Sequence, residues 1–364
     1  MGKVNALYVH IPFCNEICSY CDFVKVYSDE KIIDKYLDCL EKELSEYSIK
    51  ELKTIYIGGG TPSCLSDKQL ERLLSLFESI KLAEEYEFTI EANPESLSEN
   101  KIQILSRYGV NRVSLGIQTF DERLLKLLNR KHTLDDVKSV VSNLNKYNIS
   151  NYSFDFIYTL PFQTVEGINK DMDIAISFNP KHLSFYSLLI EEHTRLYIDG
   201  YRESEDEKQR EMYDFIYKKL SDNGYSRYEI SNFSLPGFQS KHNKVYWHDE
   251  QYYAIGVSAS GYIGDTRYTN TKSLTKYLDG INEKSIEDIS VEDSVVEFIM
   301  LGLRLDEGIS TSEYKRRFKE DFLTQYGAVL DELVNKKMII IDGDRVKATY
   351  DGSLVLHQII EMFM

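Results

Sequence analysis

The sequence predicts an α/β fold, a partial (β/α)6 barrel followed by an α+β C-terminal region of winged-helix-like order. Three observations carry that expectation. Short apolar runs rich in β-branched residues alternate with longer segments of helical period, the pattern of βα units on a parallel sheet. Six such runs occur, too few to close an eight-stranded barrel. Past residue 200 the rhythm changes, and the chain from about residue 286 reads as helices followed by a short hairpin.

The six predicted strands are 7–10, 54–57, 87–91, 112–117, 152–157 and 182–188. Between them Ile33, Tyr36, Leu37, Leu40 and Leu44, and then Leu70, Leu73, Leu74 and Phe77, recur every three or four residues, so each set forms one apolar stripe on a helix that covers the sheet. Ser66 with Gln69 reads as a capping box, and Thr133 before Asp135 and Asp136 as another helix start. An acidic helix over 204–220 leads into the aromatic segment 225–238, which reads as a different layer from the barrel. The segment 252–262 is rich in Gly, Ser and Ala, and 338–342 with 345–350 reads as the terminal hairpin. The expected division is a barrel carrying the site over 1–200, an α/β extension over 201–285, and a small helical, winged-helix-like module over 286–364.

A chain of 364 residues exceeds one compact domain of roughly 100 to 200 residues. With 42% hydrophobic and 28% charged residues, 6 Pro and 19 Gly, it reads as a folded globular protein rather than a disordered or fibrous one. Acids outnumber bases 59 to 43, a formal charge of -16, which argues against a wide basic groove for nucleic acid. No run approaches the roughly 18 apolar residues of a membrane span, and no signal-peptide pattern opens the chain, so a cytoplasmic location is expected.

Five cysteines make a poor disulfide framework for this length, and three of them stand within 14–21. Cys14-Asn15-Glu16-Ile17-Cys18-Ser19-Tyr20-Cys21 places three thiols just past the first strand, where a parallel α/β fold puts its reactive loops. Ferredoxin-type clusters use four Cys ligands; three thiolates hold three corners of a 4Fe-4S cluster and leave one iron open to a small molecule. The alternative is a zinc site with His10 or a distant residue as fourth ligand, although the paired C-x2-C spacings of structural zinc are not found. Cys39, within a helical pattern, and Cys64, after a Gly-rich turn, read as small buried hydrophobes outside the site.

The C-x3-C-x2-C spacing, with an aromatic residue before the third Cys, resembles the radical S-adenosylmethionine (SAM) superfamily. Tyr8-Val9-His10-Ile11-Pro12-Phe13-Cys14, Gly58-Gly59-Gly60-Thr61-Pro62, Glu91-Ala92-Asn93-Pro94 and Asp155-Phe156-Ile157-Tyr158 narrow the resemblance to the oxygen-independent coproporphyrinogen III oxidases and their relatives, the HemW-type heme chaperones. This resemblance implies a radical-SAM barrel in which Cys14, Cys18 and Cys21 bind a 4Fe-4S cluster, whose open iron chelates SAM. It also implies that electron transfer cleaves SAM to methionine and a 5'-deoxyadenosyl radical, and that Tyr8, Gly59, Gly60, Thr61, Glu91, Gln118, Arg130 and Asp155 contact SAM. Read without the family, these residues are plainer. Gly58 to Gly60 form a strand-to-helix turn that permits close backbone approach, Glu91, Gln118 and Asp155 end strands, Tyr8 packs in a strand, and Arg130 is a solvated charge in Arg130-Lys131-His132.

Within the resemblance the chaperones fit better than the oxidases. The oxidases carry a further Cys two residues after the third ligand, where this chain has Phe23, and a long N-terminal extension, where six residues precede Leu7. His242-Asn243-Lys244-Val245-Tyr246-Trp247 matches the His-Asn-x-x-Tyr-Trp motif of the chaperones. Heme needs an axial ligand and a flat apolar surface, which His242, Tyr246 and Trp247 with Asn243 can offer. If extended, the segment puts His242, Tyr246 and His248 on one face and Trp247 on the other; composition alone reads it as a β-ribbon with a buried Trp and a surface His. Two positions depart from the chaperone pattern. Thr159 stands where Gly is usual and Phe162 where a small residue is common, both near the expected SAM pocket, where they crowd it or change the loop's geometry. The resemblance thus implies a heme chaperone carrying a 4Fe-4S cluster, SAM and heme. Its implied partners are acceptor hemoproteins, an electron donor if SAM is cleaved, membrane hemoproteins touched peripherally, and a second copy of the chain. The rival expectation is a radical SAM enzyme that oxidatively decarboxylates a tetrapyrrole propionate.

Overall fold

The computed structural model describes residues 4–364, so the first three residues of the expected 1–200 unit lie outside the described residues. All six predicted strands are present: β1 (Ala6–Ile11), β2 (Glu51–Gly59), β3 (Lys81–Ala92), β4 (Arg112–Gln118), β5 (Asn151–Tyr158) and β6 (His182–Ser187). They pair in sequence order and all run parallel. The crossovers carry α1 (Glu30–Ser45), α2 (Asp67–Ser75), α3 (Glu99–Arg107), α4 (Glu122–Leu127), α5 (Leu134–Lys146) and α6 (Val165–Ser177). Both helix starts read from sequence are capping boxes, Ser66 with Gln69 and Thr133 with Asp136, each worth about 1 kcal/mol.

Strand periodicity sorts the two faces of the barrel wall. Ile55, Ile57, Phe88, Ile90, Val113, Leu115, Phe154 and Phe156 face outward and join the helical stripes in one apolar core. The alternate positions face inward and are polar: Tyr56 bonds Glu91 on the neighbouring strand, and Ser114 and Ser184 both bond Asp155. The apolar core is thus a jacket around a polar lumen.

The change of layer expected after residue 200 does not occur. After α7 (Arg195–Ile198) and α8 (Asp206–Asp222), the hairpin β7 (Ser226–Glu229) and β8 (Asn232–Ser234) adds antiparallel to β6. On the other edge β9 (Tyr253–Ile255) pairs parallel with β1, and the sheet order becomes β9-β1-β2-β3-β4-β5-β6-β8-β7. The physical reason is the open edge. A barrel that does not close leaves two rows of unpaired backbone groups, and these short strands satisfy them.

The His-Asn-x-x-Tyr-Trp segment is also not extended. It forms α9 (Lys241–Trp247), capped by Ser240, and the i,i+4 spacing replaces the expected two-faced strand. The Glu87 carboxylate receives the backbone N–H of Lys241 (2.9 Å) and of His242 (3.0 Å) and the Ser240 hydroxyl (3.2 Å). Because Thr54 and Glu87 are in register with Ala6, the first residue of β1, α9 closes the floor of the barrel, at the end opposite the cysteines. The C-terminal region is α+β. Helices such as Val291–Gly302 and Thr311–Phe318 precede the hairpin Ile339–Asp342/Arg345–Ala348, around a second apolar cluster that includes Phe298, Tyr314, Phe322 and Phe363. Among the described residues no helix is long and apolar enough to cross a membrane.

Candidate functional site at the barrel mouth

The cysteine loop leaves β1 and is closed at its base, where Phe13 and Cys14 pair in parallel with Val26 and Tyr27. Its far side is pinned by Ser19 N–H to the Leu128 carbonyl (3.1 Å), Leu196 N–H to the Ser19 carbonyl (3.0 Å) and Asn129 Nδ2 to the Ile17 carbonyl (2.8 Å). Lys25 Nζ donates to the Cys21 carbonyl at 2.6 Å. Cys14 is buried, and Cys18 and Cys21 are half-buried. Burial pushes the Cys14 thiol up to about 11 and raises Cys21 as well. Neither ionises at neutral pH without a cation or metal beside it.

Lys25 lies near Cys14 and Cys21 and only partly offsets burial, while Arg130 lies beside Cys18. Thr61 Oγ1 lies 3.5 Å from Cys14 Sγ and accepts from Asn93 Nδ2 at 3.4 Å. Arg130 Nη1 donates to Asn93 Oδ1 at 2.8 Å and lies 3.9 Å from Cys18 Sγ. Cys18, Thr61, Asn93 and Arg130 line a cavity of about 200 Å³, with Glu16 and Glu95 on its wall. Arg130 is therefore not the solvated charge its neighbours suggest: its side chain is 4% exposed, its Nη2 donates to the Gly116 carbonyl at 2.6 Å, and its Nε is buried without a partner. Burying an ion costs several kcal/mol. Glu95 Oε2 lies 3.8 Å from Arg130 Nη2, a longer contact than a direct hydrogen bond, and leaves the guanidinium able to take an anionic ligand in the cavity. Gln118 joins it, since a Cβ at Gly116 would stand 3.0 Å from Gln118 Nε2 and 3.2 Å from Asn93 Oδ1.

Deeper in the lumen, Glu91 accepts from Tyr56 Oη (2.7 Å) and Gly59 N–H (3.0 Å), and burial raises its carboxyl above the usual range. Gly59 has φ +112°, and a Cβ there would meet the His10 ring at 2.5 Å, so only glycine fits beside that imidazole. Gly60 and Thr61 follow at the same turn, tied by their N–H groups to the Ile11 and Phe13 carbonyls, both at 2.8 Å. Asp155 takes hydroxyls from Ser114, Ser153 and Ser184 at 2.7, 2.9 and 2.7 Å. Tyr8 Oη lies 2.9 Å from His10 Nδ1, while His10 Nε2 is buried without a partner, and burial lowers the ring to about 4. The reading of sequence assigned Asn93 no role beyond its place in the Glu91-Ala92-Asn93-Pro94 motif, and His10 none beyond a fourth ligand in the zinc alternative. Each stands two residues beyond a residue it did single out, Glu91 and Tyr8, and that spacing was the available signal.

Thr159 and Phe162 are both left-handed, φ +63° and +68°. The glycine usual at 159 is the residue such geometry favours, so the loop keeps its shape with a β-branched residue, at about 1–2 kcal/mol of strain. Thr159 Oγ1 accepts from Leu188 N–H at 3.3 Å, and Phe162 points outward against Tyr201. Neither lines the cavity beside the cysteines.

The chaperone-type motif lies at the other end. His242 is fully buried, its Nδ1 2.8 Å from Thr54 Oγ1, its Nε2 2.8 Å from Tyr246 Oη and its ring stacked on Tyr56 at 5.1 Å. Burial lowers it to about 3. Neither nitrogen is free for an iron, contrary to the expectation of a ligand on an open face. Asn243 N–H donates to Ser240 Oγ at 3.2 Å, and Arg304 lies over the Trp247 ring at 4.5 Å.

The donor set at the mouth fits a cluster. Three thiols on one loop, with Arg130 and Lys25 beside them, suit a group that places negative charge on its sulfurs. Among the described residues no set of three or more His, Cys, Asp or Glu side chains closes tightly enough for a single metal ion, as the zinc alternative would need.

Comparison with known proteins agrees with this geometry. The sequence pattern of the radical SAM superfamily matches residues 8–175, and that of the HemN C-terminal domain residues 289–355. The fold matches the structure titled coproporphyrinogen III oxidase (HemN) from Escherichia coli, a radical SAM enzyme. The TM-score is 0.86 at 22% identity, covering 99% of this chain and 90% of that one. The fold and site define a radical SAM protein, a class that implies a 4Fe-4S cluster and SAM. The heme chaperone HemW of Lactococcus lactis is 41% identical over 373 residues, covering 100% of this chain and 98% of the relative. Those of Bacillus subtilis (35%, covering 99% of each chain) and Escherichia coli (32%, covering 99% and 98%) are similar along their lengths. The chain belongs to the HemW family of heme chaperones.

Proposed function

We propose that the chain binds heme and delivers it to hemoproteins, with a 4Fe-4S cluster on Cys14, Cys18 and Cys21 and SAM in the lumen behind them. The end-to-end likeness to heme chaperones carries this reading. Arg130, oriented by Asn93 and the Gly116 carbonyl, pairs with the carboxylate of SAM, and Gln118 and Thr61 stand beside it. Glu91 with Gly59 and Gly60, Tyr8 beneath them, and Asp155 in its cradle of serines supply the remaining polar contacts. When bound, the cluster offers SAM an open iron and an electron. His242, Asn243, Tyr246 and Trp247 act on heme through the barrel they close rather than as iron ligands. Acceptor hemoproteins, an electron donor, membrane hemoproteins and a second copy of the chain are partners in the same reading.

The test loads the anaerobically reconstituted chain with heme and mixes it with a heme-free hemoprotein. The acceptor's Soret band grows, and 5'-deoxyadenosine does not accumulate in response to a porphyrinogen. Absence of transfer, together with porphyrinogen-dependent deoxyadenosine and a vinyl product, would return the protein to the decarboxylating enzymes.

A further inference from the structure

Of the seven histidines, His10, His132, His182 and His242 are buried, and His248 is engaged by Glu307. His357 lies with Glu361 on the C-terminal helix Leu356–Glu361. His193 is different. It stands on the loop between β6 and α7, its side chain 69% exposed, and its Nε2 bonds the Asp22 carboxylate one residue after Cys21. Its Nδ1 has no hydrogen-bond partner among the described residues. The loop is held against the cysteines by Leu196 N–H on the Ser19 carbonyl.

Around this histidine the mouth carries large apolar side chains in solvent. Phe23 (70% exposed) follows Asp22, Phe162 (79%) follows β5, Leu189 (63%) follows β6, and Ile198 (66%) lies on α7. Single exposed apolar residues are ordinary, but four from four segments at one end of a barrel mark a binding surface.

We propose that His193 Nδ1 is an axial ligand of the heme iron, with the macrocycle lying on the rim formed by Phe23, Phe162, Leu189 and Ile198. The proposal rests on the heme-binding reading above. A carboxylate on the far nitrogen is the usual partner of a metal-binding imidazole, since it fixes the ring and raises its basicity. Asp22 already occupies that place. An enclosed pocket buries most of its ligand, whereas a rim leaves one face of the macrocycle open, as cargo that must be handed on requires. Both His242 nitrogens are committed at the opposite end and the unpartnered nitrogens of His10 and His132 are buried, so His193 is the exposed histidine near the cysteines with a nitrogen to give.

The test titrates hemin into the anaerobically reconstituted full chain and into His193→Ala, Asp22→Asn and His357→Ala, following the Soret band and measuring iron and sulfide in each. The wild type binds saturably. His193→Ala weakens binding by about tenfold or more and shifts the band, Asp22→Asn shifts the band with a smaller loss, and His357→Ala titrates as wild type. A His193→Ala variant that titrates as wild type overturns the ligand and leaves the heme-binding reading standing. A wild type with a full cluster and no saturable binding removes both.

Discussion

At the floor of the barrel, His242 is bonded through both ring nitrogens and Glu87 takes three donors from the start of α9. At the mouth, His10 Nε2 and Arg130 Nε are buried without partners, and His193 stands in solvent. The backbone repeats the contrast. The left-handed residues on the floor side, Asn148 and Asn179, are of a type that adopts this conformation cheaply after a helix. On the mouth side Asn129 is of that type too, but it is joined by Gln118, Thr159 and Phe162, which are not. Unpartnered buried atoms occur at the floor as well, Trp247 Nε1 and Arg112 Nε among them, so what sets the mouth apart is its strained backbone and its exposed histidine, features that collect at functional sites.

The largest way to test that contrast is at the mouth. Cys14→Ser is expected to lose nearly all cluster iron after anaerobic reconstitution, while the melting temperature of the cluster-free protein moves by only a few degrees; retained iron would remove Cys14 from the ligand set. At the floor the sign reverses. His242→Ala leaves the Thr54 and Tyr246 hydroxyls unpaired and a void under Tyr56, so urea unfolding should show a loss of about 3 kcal/mol with the cluster content of the folded protein unchanged. Lost heme binding at unchanged stability would instead make the floor the binding end.

Acid sharpens the same comparison. His242 is held at about 3, against an ordinary 6.5, so the unfolded chain takes up a proton that the folded ring refuses. Its contribution to stability is complete above about pH 6.5 and falls as pH drops toward 3, by about 1 kcal/mol between pH 6.5 and 5.5. The pH slope should therefore be shallower in His242→Ala than in wild type, and equal slopes would contradict this. The smallest effect is expected at Thr159→Gly. Relief of the left-handed strain is partly offset by the lost hydrogen bonds and by glycine's greater chain entropy, for a net gain of about 1 kcal/mol or less. A measured loss would mean that the Thr159 hydroxyl outweighs the strain.

The six parallel strands and their helices were legible because each is long enough to show its period, from Ile33 to Leu44 on α1 and through the alternation of β2 and β3. The cysteine spacing was legible because it is local. What sequence hid depends on distant partners. Strands β7, β8 and β9 have only three or four residues each, and they are strands because β6 and β1 offer open edges. The segment 241–247 has the valine, tyrosine and tryptophan of a strand, yet its helix is set by Ser240 and by a carboxylate on Glu87 that no local pattern reveals. Without the family resemblance Arg130 reads as a solvated charge for the same reason, since Asn93 and Cys18 come from other loops, and His193 drew no notice because Asp22 is remote in sequence.

The pairing of β1 with β9 has a consequence in time. Leu7 bonds alongside Tyr253, so the second edge of the first strand stays open until about 250 more residues have been made. At roughly 5–20 residues per second, that interval is on the order of 12–50 s. During it the cysteine loop hangs from a strand paired on one side only, and the thiols are presented to the cell long before the barrel around them is complete.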